Sequence, residues 1–77
     1  MARKIDTRIM GLKIAYYRKK RRMTQTELAE KVNISVRYLS KIECGQVTNC
    51  ASFPVLNRIS NALGIGIEQL LTTEIVD

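Results

Sequence analysis

Residues 25–45 read QTELAEKVNISVRYLSKIECG, two short amphipathic segments meeting at a tight polar break. Thr24 stands immediately before the first segment and Glu27 three residues later, the pattern of a capping box, with Met23 and Leu28 placed to form a hydrophobic staple. Leu28, Ala29 and Val32 then recur on one helical face. The segment stops near Val32, and Asn33 follows, a residue that tolerates a left-handed backbone and so permits a sharp corner. Ser35 repeats the start signal, with Ile34 and Leu39 as a second staple pair. Leu39 and Ile42 mark the buried side, and Gly45 is a natural C′ stop. The spacing predicts helices over about 24–32 and 35–44.

Outward from this pair the same reasoning gives three more helices. Met10, Ile14 and Tyr17 fall at i, i+4 and i+7, an apolar face for a helix over about 8–21, with Lys13, Arg18, Lys20 and Arg21 largely off that stripe. Residues 1–7, MARKIDT, have no period and read as a flexible basic arm. Gln46 to Ala51 form a polar loop, after which Ser52 caps a helix over about 52–63 and Pro54 sits in its tolerant first turn. Phe53, Leu56, Ile59 and Leu63 bury one side of it, and Gly64 ends it. A last short helix is expected over 67–71. With five short helices and no strand candidate, the chain reads as one compact all-α domain over residues 8–77.

Composition narrows the function. Seventy-seven residues support one thin core and not two. No apolar run approaches a membrane span, and the basic start lacks the h-region of a secretion signal, so a cytoplasmic protein is expected. With no His and two cysteines, Cys44 and Cys50, no zinc constellation can be assembled, and the cysteines read as reduced thiols. No glycine-rich phosphate loop and no acidic metal cluster is present, so no cofactor and no enzymatic activity are expected. RNA binding fits poorly, because one Phe, three Tyr and no Trp leave little to stack on bases. The net charge of +6 is strongly polarised: residues 1–22 carry nine basic side chains and one acidic, whereas residues 51–77 carry one basic and three acidic. Either that basic end is solvated surface, or it meets a polyanion.

The central pair of helices favours the polyanion, specifically double-stranded DNA. One helix of such a pair can dock on the phosphate backbone while the next enters the major groove. The second helix is about ten residues, roughly 15 Å, so only its first half and one further turn reach base edges. Leu39 and Ile42 fix its buried side, leaving Val36, Arg37, Ser40 and Lys41 outward. Arg37 can bond bidentately to guanine, Val36 can meet a thymine methyl, and Lys41 reaches either a base or a phosphate. Gln25 opens the preceding helix, where side chain and free backbone N–H both face a phosphate. Ser35 and Thr26 are weaker phosphate candidates, Thr48 and Asn49 reach from the loop, and Tyr38 either packs or contacts phosphate. Lys19, Lys20, Arg21 and Arg22 would add salt-dependent contacts blind to sequence, with Arg3, Lys4 and Arg8 as an accessory arm. One such helix reads too few base pairs alone, and a two-fold homodimer would set paired helices about 34 Å apart. Ile65, Ile67, Leu70 and Leu71 exceed what a small helical cap needs and are the expected dimer interface.

Four motifs together carry a family likeness: I-x-x-x-R at Ile14–Arg18, M-T-Q-T-E-L-A at Met23–Ala29, S-x-x-x-L-S-K-I-E-x-G at Ser35–Gly45, and I-S-N-A-L-G-I at Ile59–Ile65. On these the chain resembles the phage-repressor type of helix-turn-helix domain, the Cro/C1 or XRE-like group, across residues 9–71. The resemblance implies a compact five-helix lambda-repressor-like fold and dimers that bind palindromic operators to regulate transcription, more often as repressors. It places base contacts at Val36, Arg37 and Lys41, a phosphate contact at Gln25, and a buried ion pair at Arg18 and Glu43. The chain departs from the family in three places. Asn33 stands where Gly is frequent, the loop from Gly45 to Ser52 is about two residues longer than usual, and Gly66 opens the last helix where Ser or Thr is common, a weaker cap. The competing reading is an antitoxin-like module that uses the same fold to hold a partner protein.

Overall fold

The computed structural model describes residues 7–46 and 53–71, the side chain of Phe53 excepted. Five helices follow in order: α1 (Thr7–Lys20), α2 (Gln25–Val32), α3 (Val36–Glu43), α4 (Phe53–Leu63) and α5 (Ile67–Leu71). Each lies within a residue or two of its expected place. The arm over residues 1–6 and the loop with Thr48, Asn49, Cys50 and Ser52 lie outside the described residues, as does the Phe53 side chain.

α1 packs on α3, α4 and α5, and α2 on α3 and α4, around one core. Met10, Ile14, Leu28, Ala29, Val32, Leu39, Ile42, Leu56, Ile59, Leu63 and Leu70 fill it. Met23 and Ile34, the outer halves of the two expected staples, lie half-buried against it. α1 and α3 come together closely at Gly11, which the amphipathic pattern did not single out. A Cβ there would stand 2.3 Å from the Ile42 carbonyl oxygen and 2.6 Å from that of Glu43, so α1 meets the backbone of α3 directly.

Four of the helices end alike. After α3 the Gly45 N–H donates to the Ile42 carbonyl (3.1 Å) and the Gln46 N–H to that of Lys41 (3.0 Å), a Schellman motif with Gly45 at φ +70. The same pair of bonds closes α4 around Gly64 and α2 around Asn33, whose φ of 60 is the left-handed conformation expected of it. α1 ends this way around Arg22 at φ 57, where neither Gly nor Asn signals the turn. α5 is better fastened than its glycine cap suggests. The Gly66 N–H donates to Gln69 Oε1 (3.0 Å), and Lys13 Nζ donates to the Gln69 carbonyl (3.0 Å). Lys13 is therefore buried on α1, contrary to its expected place off the apolar stripe: its stem lies along the core and its head reaches a carbonyl.

Candidate nucleic-acid interface

The N-terminus of α2 is built as the capping box implied. Glu27 N–H donates to Thr24 Oγ1 (3.0 Å) and Thr24 N–H to Glu27 Oε1 (2.8 Å). Thr24's backbone N–H and then its hydroxyl hold the Glu27 carboxyl below the usual carboxylate range, with Lys31 adding a smaller pull. The box leaves the N–H groups of Gln25 and Thr26 with no protein acceptor among the described residues. Two open donors at a helix start make an electropositive point suited to an anionic oxygen.

α3 begins at the Ser35 cap, whose hydroxyl accepts from the Tyr38 N–H at 3.0 Å. Its inner side is Leu39, Ile42 and Glu43. Val36 is 40% exposed and Arg37 and Lys41 are exposed, so three of the four expected reading residues lie on the outward side, with Ser40 half-buried. Tyr38 is half-buried against the core.

Behind this face lies the ion pair. Arg18 Nε donates to Glu43 Oε2 at 2.7 Å and Arg18 Nη2 to Glu43 Oε1 at 3.0 Å, a two-pronged contact between side chains only 9% and 6% exposed. Arg18 Nη1 also donates to the Met23 carbonyl (2.8 Å), tying the α1–α2 corner to the same group. Gln25 Nε2 donates to Glu43 Oε1 (3.0 Å), a contact with no sequence signal. No buried side-chain polar atom among the described residues lacks a partner. The Glu43 carboxylate is thus turned inward and paired with Arg18, away from the outward side of α3.

Two of the expected site residues have partners within the monomer. Arg21, assigned to phosphate, is exposed and donates from Nε to the Leu63 carbonyl (2.7 Å) at the C-terminal end of α4. Leu70, assigned to the dimer interface, is fully buried within the monomer. An apolar residue on the inner face of so short a helix is consumed by the core. Ile65, Ile67 and Leu71 remain half-buried at its edge. Lys19, Lys20 and Arg22 are exposed as expected, with Lys20 Nζ 5.7 Å from the centre of the Tyr16 ring. Cys44, at the end of α3, is exposed. No group of three His, Cys, Asp or Glu suited to a metal ion occurs among the described residues. None of their helices is long and apolar enough to cross a membrane.

The chain matches the helix-turn-helix family model over residues 14–70. It is 37% identical over 65 residues to the immunity repressor protein of Bacillus phage phi105, covering 84% of this chain and 44% of the relative. It is 36% identical over 63 residues to the HTH-type transcriptional regulator SinR of Bacillus subtilis (strain 168), covering 82% of this chain and 56% of that protein. The chain thus spans about half the length of these two relatives. The structure of SinR, the master regulator for biofilm formation, in complex with DNA superposes with a TM-score of 0.76 at 36% identity, covering 82% of this chain and 98% of that one. The family model spans most of the chain and both relatives exceed 30% identity over four-fifths of it, so the chain belongs to the helix-turn-helix family.

Proposed function

We propose that this domain is a sequence-specific double-stranded DNA-binding regulator of transcription, a repressor acting in the cytoplasm as a homodimer on a palindromic operator. The observation that carries this reading is the outward ridge of α3. Val36, Arg37 and Lys41 are exposed on it while Leu39 and Ile42 anchor its back, and the open N–H groups of Gln25 and Thr26 stand at the start of the helix before it. The names of its relatives, a phage repressor and a transcriptional regulator seen with DNA, support the same ligand.

In this reading α2 grips a phosphate through Gln25 and Thr26, with Ser35 and Tyr38 close to the backbone path. Arg37 donates its fork to guanine O6 and N7, and Val36 meets a thymine methyl. Ser40 and Lys41 extend the contact by a further turn. Lys19, Lys20 and Arg22 add charge along the flank, and Thr48 and Asn49 follow from the loop. The dimer forms through Ile65, Ile67 and Leu71, in the C-terminal third of the sequence, where residues 51–77 carry one basic and three acidic side chains. The ion pair of Arg18 and Glu43 holds α3 to its scaffold and reads nothing.

Selection from randomised duplex DNA tests the proposal, since it returns half-site, symmetry and spacing together. Arg37→Ala is expected to cost about 1–3 kcal/mol on the selected site and to relax one operator position. Lys20→Ala is expected to weaken every duplex alike and to flatten the salt dependence. Equal losses on selected and random DNA for Arg37→Ala would defeat the base-reading assignment.

A further inference from the structure

Glu43 accepts three hydrogen bonds, and the two from Arg18 account for its burial. The third, from Gln25, is not required to neutralise it. We propose that Glu43 is a positioning residue for phosphate recognition: its carboxylate fixes the Gln25 carboxamide so that the amide nitrogen donates both inward to Glu43 and outward to the DNA backbone. This deepens the DNA-binding function proposed above and rests on it.

Gln25 is the first residue of α2, half-buried, and adjacent to the two open backbone donors. A free glutamine amide there could present its oxygen or its nitrogen to an incoming phosphate, and only the nitrogen is useful. Glu43 removes the choice. Both oxygens of the Glu43 carboxylate already accept from Arg18, so Oε1 offers Gln25 a lone pair, and the atom that meets it at 3.0 Å is the nitrogen. An amide nitrogen carries two hydrogens, and one is spent on Glu43. The other is left for an acceptor outside the protein, next to the N–H groups of Gln25 and Thr26. Val36, the first residue of α3, has no polar side-chain atom with which to orient Gln25 from its own helix start. Because Glu43 is the last residue of α3, the phosphate grip on α2 is set by the seating of the reading helix.

The test is a double-mutant cycle on the whole chain with Gln25→Ala and Glu43→Asp, read as affinity for the selected operator and for a random duplex. Glu43→Asp keeps a negative charge beside Arg18 and withdraws the carboxylate from Gln25 and Arg18 alike by one methylene, and the cycle separates the two effects. The loss of one charge-assisted phosphate contact predicts about a tenfold weaker Kd for Gln25→Ala on both duplexes. Glu43→Asp is expected to give a similar loss alone and no further loss on top of Gln25→Ala. If Glu43→Asp weakens binding by the same factor in both backgrounds, its role is structural only and the proposal is overturned. A second measurement uses the free protein: the Gln25 side-chain amide should give a distinct, slowly exchanging NMR pair that moves to ordinary solvent-exposed shifts in Glu43→Asp. An amide already solvent-like in the parent protein overturns the positioning even if DNA binds. A parent protein that retains no duplex, yet shows the held amide, sinks the DNA reading instead.

Discussion

Replacing Gly11 by Ala sets two opposed effects against each other, and the structure decides between them. In an exposed helix the change stabilises by about 0.8–1.0 kcal/mol, because alanine loses less backbone freedom than glycine. Here the added Cβ would lie 2.3 Å from the Ile42 carbonyl oxygen, 2.6 Å from the Glu43 carbonyl oxygen and 2.8 Å from the Glu43 carbonyl carbon. All three are backbone atoms of α3, so no side chain can swing aside. Ordinary contact starts near 3.4 Å, and α1 and α3 must therefore part by roughly 1 Å. Overpacking of this kind costs about 1–3 kcal/mol, towards the upper end where the obstacle is main chain. The Arg18–Glu43 pair spans the same two helices, so its 2.7 Å bond is stretched by the same movement. The net expectation is a loss of about 1–2 kcal/mol, a fall in Tm of roughly 5–15 °C for a domain of this size. Urea unfolding followed by circular dichroism measures it, with an unchanged m-value as the sign that both proteins unfold as one unit. A Gly11→Ala protein as stable as the parent would mean that helix propensity outweighs the contact and that the α1–α3 seam is not closed by main chain.

Other perturbations probe the remaining parts of the scaffold. Arg22→Gly relieves a left-handed arginine at φ 57 and should raise stability by about 0.5–1 kcal/mol in thermal unfolding, while DNA affinity falls uniformly through the lost charge. Arg18→Met strips Glu43 of its buried partner and should cost about 3–5 kcal/mol, the penalty for an uncompensated charge, measured by denaturant unfolding. The lowered Glu27 pKa means that the capping box stabilises fully above the ordinary carboxylate value and fades as pH falls through the lowered one. The Tm difference between the parent and Glu27→Ala should therefore be widest near neutrality and close in acid; a constant difference would show that Glu27 caps without its charge.

The parts legible in the sequence were those whose causes are local. Thr24, Glu27, Asn33, Ser35 and Gly45 each act on backbone within a few residues, so their spacing alone places α2, α3 and the corner between them. The outward residues of α3 follow once Leu39 and Ile42 are assigned inward. Side chains whose partners lie far along the chain were not legible. Lys13 reads as a surface residue because its acceptor, the Gln69 carbonyl, is 56 residues away. Arg21 belongs by composition to a basic cluster, yet the Leu63 carbonyl at the end of α4, 42 residues away, is within its reach. Leu70 looked surplus to a small core only because the depth of α5 against α1 and α4 could not be judged. Arg22 carries no turn signal at all. Gly11 did carry one, since a lone glycine inside a helical pattern marks close packing, but nothing in the sequence named α3 as the partner.

These long-range contacts divide the labour along α3. Its C-terminal half is fixed twice, by the carbonyls of Ile42 and Glu43 lying on Gly11 and by the Glu43 carboxylate held on Arg18. Its N-terminal half rests on the Ser35 cap and on Leu39, buried in the core, and presents Val36 and Arg37 to the outside. A helix seated along the whole of its inner side moves as one piece. Substitutions at Gly11 or Arg18 should therefore displace every outward residue together and weaken all base positions at once. Substitutions at Val36 or Arg37 should leave the helix seated and alter one position each. Under the proposed function, the anchors set how well any duplex is bound and the outward side chains set which sequence is preferred.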